Sequence, residues 1–88
     1  MTKETSYGII TMLDELEKEF TEQGKISRLV YSVETDGAIE LHVIRTTEYP
    51  VRVTTSLQCI VEAAVNSDLP MKQILHSMIL SATENRRL

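Results

Sequence analysis

The chain has 88 residues and a mass of 10.0 kDa, with 13 acidic against 9 basic side chains and a formal charge of −4. That is enough chain for one hydrophobic core and too little for two, so residues 1–88 read as a single domain. A hydrophobic fraction of 42% and a charged fraction of 25% exclude a disordered chain, and no apolar run approaches the length of a membrane span.

The first element is a helix over about Ser6 to Gln23. Ile9, Leu13, Leu16 and Phe20 recur at helical spacing and form one wide apolar stripe, with Asp14, Lys18 and Glu22 on the opposite face. Gly24 supplies the left-handed position that ends it, followed by Lys25. Ile26 to Glu34 and Ile39 to Thr46 are rich in β-branched residues and flank Asp36-Gly37, a strong hairpin signal. A two-residue turn there pairs Val30 with Val43, Leu29 with Ile44 and Tyr31 with His42. It also sets Ile26, Val30, Ile39, Leu41 and Val43 on the core face, and leaves a half-apolar second face for later elements or a partner to cover.

A third strand is expected at Val51 to Val53, after Thr47-Glu48-Tyr49, with Pro50 at its start on a sheet edge. Thr55 and Gln58 have the spacing of a capping box opening a second helix, whose stripe is Leu57, Ile60, Val61, Ala64 and Val65. Ser67-Asp68-Leu69-Pro70 stops that helix and starts another, with Met71, Ile74, Leu75, Met78, Ile79 and Ala82 inward and Arg86 and Arg87 near its end. The expected fold class is α+β. An N-terminal helix precedes an antiparallel β-hairpin or three-stranded meander, and two C-terminal helices then pack on the sheet (α-β-β-(β)-α-α).

Candidate functional residues fall into three groups. Asp14, Glu15, Glu19 and Glu22 concentrate negative charge on the first helix, a surface suited to docking on a basic protein partner. Tyr31, His42 and Leu80 are candidate apolar contacts, Leu80 because the helical wheel turns it outward beside Gln73 and His76. Arg28, Arg45 and Arg52 form the third group. The two-residue turn sets Arg28 opposite Arg45, where like charges call for a carboxylate such as Glu48 or an anionic ligand.

No nucleophile can be placed beside the Tyr31–His42 pair, two histidines make a poor metal site, and no glycine pattern cradles phosphate. A catalytic role, a metal and a cofactor are therefore not expected. Cys59, the lone cysteine, reads as a small buried hydrophobe and excludes an internal disulfide. With an opening MTKETSYGII that lacks the blocks of a signal peptide, this points to a cytoplasmic setting.

The element order resembles that of some small phage-encoded inhibitors, a likeness of architecture without a shared motif. The expectation is a small acidic, non-enzymatic regulatory, inhibitor or adaptor protein acting by protein–protein contact, of an immunity or phage anti-defence type. Leu80 and Leu88, with the half-apolar sheet face, point to a homodimer. The alternative is a dimeric nucleic-acid or nucleotide binder using Arg28, Arg45 and Arg52.

Overall fold

A computed structural model of the chain describes residues 3–46 and 49–84, with side chains from residue 8 onward. Its elements are α1 (Lys3–Glu22), β1 (Arg28–Val33), β2 (Ala38–Ile44), β3 (Val51–Ser56), α2 (Leu57–Ser67) and α3 (Met71–Glu84). The strands form one antiparallel sheet in the order β1-β2-β3, so the expected α+β meander followed by two helices is what the chain adopts. Thr47, Glu48, Arg86, Arg87 and Leu88, which carry expectations above, lie outside the described residues.

All three helices lie on one side of the sheet. Ile9, Leu13, Leu16 and Phe20 of α1 pack with Leu29, Ile39, Leu41 and Val43 of the sheet, Ile60 of α2, and Leu75, Ile79 and Ala82 of α3. Ile26 closes the core beneath the end of α1. That end is fixed by Gly24 at φ 73°, with the Gly24 and Lys25 N–H groups donating to the carbonyls of Thr21 and Phe20.

The hairpin differs from the expected register by one residue. Arg28 faces Ile44, Leu29 faces Val43, Val30 faces His42 and Tyr31 faces Leu41. A two-residue Asp-Gly turn needs positive φ at both residues, and only Gly37 has it, at 96°. Thr35, Asp36 and Gly37 instead form a three-residue loop. The Gly37 N–H donates to the Glu34 carbonyl at 3.0 Å, and the Glu34 N–H donates to the Ala38 carbonyl at 2.8 Å.

A slip of one residue exchanges the faces of a strand. Leu29, Tyr31 and Val33 therefore join Ile39, Leu41 and Val43 on the helix side, while Arg28, Val30 and Ser32 turn to water. This register is the better patterned one, because the expected pairing would have carried Arg28 and Ser32 to the core face. The Tyr31–His42 and Arg28–Arg45 pairs do not form: Tyr31 and His42 lie on opposite faces of the sheet.

β3 is longer than expected and runs into α2 without a loop. Ser56, not Thr55, caps the helix, its Oγ accepting the Cys59 N–H at 3.1 Å. Leu57 donates its N–H to the Gly37 carbonyl at 2.8 Å, which ties the start of α2 to the hairpin turn. Asp68 ends α2 in the left-handed region at φ 55°, ψ 44°.

Leu80 is not an exposed outlier. α3 lies between α1 and α2 over the sheet, so a wider arc of it is covered than one stripe, and Leu80 is half-buried against the core. His76 is half-buried as well, its ring 4.9 Å from that of Phe20. Cys59, expected inside, is exposed.

Candidate interaction surfaces

Four carboxylates of α1, those of Asp14, Glu15, Glu17 and Glu19, are engaged within the chain. Lys72, at the start of α3, reaches Glu15 Oε2 at 2.9 Å and Glu19 Oε1 at 3.1 Å, and both contacts push its pKa up from the ordinary lysine value. Asp14 Oδ1 accepts the Tyr31 hydroxyl at 2.7 Å, and Glu17 Oε2 accepts the Leu29 backbone N–H at 2.7 Å. Burial, first, and the Asp14 hydrogen bond and charge, next, push the Tyr31 hydroxyl up to about 12. Asp14, Glu15 and Glu19 thus hold α1 against β1 and α3. Glu22 stands exposed at the end of the helix.

The sheet face away from the helices carries four cross-strand rows: Arg28–Ile44, Val30–His42–Arg52, Ser32–Glu40–Thr54 and Ala38–Ser56. Glu40 Oε1 sits 2.8 Å from His42 Nε2 and 2.9 Å from Arg52 Nε, so one carboxylate holds both. Of the sequence candidates, Arg28, His42 and Arg52 share this face. Arg45 lies beyond the end of β2, where its guanidinium donates to the Tyr49 carbonyl at 2.7 Å. The three arginines therefore do not make one patch. Among the described residues no group of His, Cys, Asp and Glu is placed to hold a metal ion.

The α2 surface escaped the sequence reading. Val61 and Val65, assigned there to the inward stripe, are exposed, and among α2 residues only Ile60 is fully buried. Five large apolar residues are exposed among those described. Three of them, Val61 (40%), Val65 (73%) and Leu69 (44%), follow at i, i+4 and i+8 along α2 and its exit. The other two, Val30 and Tyr49, are isolated from this ridge in sequence.

At its N-terminal end the ridge opens into a groove of about 500 Å³ against the hairpin tip, lined by Asp36, Gly37, Ser56, Leu57, Val61 and Glu62 among others. The signal was present in the sequence. The apolar arc of α2 is wider than the side the core can cover when a helix packs at the margin of a three-stranded sheet.

Comparison with protein-family models, curated proteins and solved structures returns no match for this chain. Among the described residues no helix is long and apolar enough to cross a membrane.

Proposed function

We propose that the chain is a small non-enzymatic regulatory or adaptor protein that acts by binding another protein through the outer face of α2. The observation that supports this is the clustering of Val61, Val65 and Leu69. Scattered exposed apolar side chains are ordinary on a monomer, whereas a contiguous ridge of them marks an interaction site. A groove at the end of that ridge gives an anchoring side chain of the partner somewhere to seat. The charged helix α1, by contrast, has Asp14, Glu15, Glu17 and Glu19 directed at Tyr31, Lys72 and Leu29.

The test is affinity capture of tagged protein from nuclease-treated lysate, comparing the parent with a Val61→Ser/Val65→Ser variant and an Arg28→Ser/Arg52→Ser variant. The expected result is a stoichiometric protein lost from the α2 variant alone. Loss from the arginine variant alone, or binding that disappears with nuclease, would overturn the reading in favour of the open sheet face.

A further inference from the structure

Resting on the reading of α2 as the docking face, we infer that its occupant is a cationic amphipathic helix of a different protein. The ridge suits a helical occupant. Val61 and Val65 form an i, i+4 pair on α2, with Leu69 just past the left-handed Asp68 that ends the helix, and such a pair packs against the corresponding row of another helix. A segment added as a strand would need a free strand edge, which a helix does not offer.

The sign of the charge is set by what surrounds the ridge. No Lys, Arg or His occurs between Arg52 and Lys72, a stretch that spans the end of β3, all of α2 and its exit. Its charged residues are Glu62 and Asp68, both exposed. The hairpin tip adds Asp36, which lines the groove at the end of the ridge together with Glu62. Asp36 Oδ1 takes the Ala38 N–H at 3.0 Å and Glu62 Oε1 takes the Gln58 side-chain amide at 3.1 Å, so both carboxylates are held in place without being neutralised. The apolar residues lining the groove are Leu57 and Val61. A lysine or arginine laid over them buries its methylene stem and brings its charge to the groove that carries the two carboxylates.

The same charges disfavour a second copy of this chain as the occupant. A two-fold axis near Val65 would bring Glu62 of one copy towards Asp68 of the other, with no basic residue of α2 to offset them.

The test uses a fluorescently labelled peptide of about 18 residues, long enough to be helical, built from Leu and Lys with leucines at i, i+4 and i+7. Its binding to the full chain is read by anisotropy at low salt and at about 300 mM salt. The expected result is salt-weakened binding that falls about tenfold for Val65→Ser and again for Glu62→Lys, with no binding of the Leu/Glu counterpart. Absence of binding, equal binding of the Leu/Glu peptide, or binding unmoved by Val65→Ser and Glu62→Lys would overturn the inference. Should the captured partner be lost from the Val61→Ser/Val65→Ser variant yet hold α2 through an acidic or salt-insensitive segment, the inference fails while the docking face stands. Retention of the partner by that variant removes both.

Discussion

Glu17 places Oε2 2.7 Å from the backbone nitrogen of Leu29, so a carboxylate on α1 closes the outer edge of β1. In the observed register the Glu34–Ala38 pair is hydrogen-bonded, and so, by alternation, are the pairs of Ser32, Val30 and Arg28. The N–H groups of Leu29, Tyr31 and Val33 therefore face away from β2, and Glu17 covers the first of them. A charged acceptor on a strand edge both satisfies the donor and discourages pairing with another chain. Glu17→Ala is expected to lower stability by about 1–2 kcal/mol, and Glu17→Gln, which keeps an acceptor, by less. Urea denaturation of the two variants checks the order.

Tyr31 gives the fold a response to alkali. Its hydroxyl, ordinarily ionising near pH 10, is held neutral up to about 12 by burial and by the bond to Asp14. A raised folded-state value means that its contribution to stability is fully present below pH 10 and is lost as pH climbs towards 12. Tyr31→Phe should therefore show a shallower fall in melting temperature across that interval than the parent. Parallel curves for the two proteins would rule out Tyr31 as the origin.

Lys72 joins α3 to α1 by bridging Glu15 and Glu19. Lys72→Met leaves two carboxylates one helical turn apart with no cation between them, an arrangement unfavourable in itself. The expected outcome is a lower urea midpoint at low ionic strength, with most of the difference gone at about 1 M salt, where the screening length falls to about 3 Å. A deficit independent of salt would assign the loss to packing of the lysine stem instead.

Asp68 ends α2 in a conformation that costs an L-residue about 1–2 kcal/mol, and it sets a negative charge at the negative pole of the helix. Asp68→Gly should raise stability by about 0.5–1 kcal/mol after the entropic cost of glycine is subtracted, while Asp68→Ala should lower it. Thermal melts of the two variants, which are predicted to move in opposite directions, decide the point.

The helices and their order were legible because Ile9, Leu13, Leu16 and Phe20, and likewise Leu75, Ile79 and Ala82, repeat at a period that only a helix turns to one side. The hairpin was legible to within one residue. Asp36-Gly37 marks a turn, yet the dipeptide itself does not say whether both residues or only the glycine take positive φ, and that choice decides which face of β1 is wet. The cap slid from Thr55 to Ser56 for a related reason: both are hydroxyl residues, and the length of β3 selects between them.

Surface chemistry was the least legible. The charge on α1 was plain in the sequence, but Lys72, the residue that engages Glu15 and Glu19, lies more than fifty positions away. Val61 and Val65 have the spacing of core residues, and only the position of α2 beside β3 leaves them in water.

The junction between β3 and α2 contains no slack. Ser56 ends the strand and caps the helix, and Leu57 is pinned to Gly37 across the sheet. α2 is thus tied to β3 through the covalent chain and to the start of β2 through the bond from Leu57 to the Gly37 carbonyl. On the reading of α2 as a docking face, a surface anchored at two points has little freedom to lose on binding, and discrimination between partners would rest on how long each stays bound.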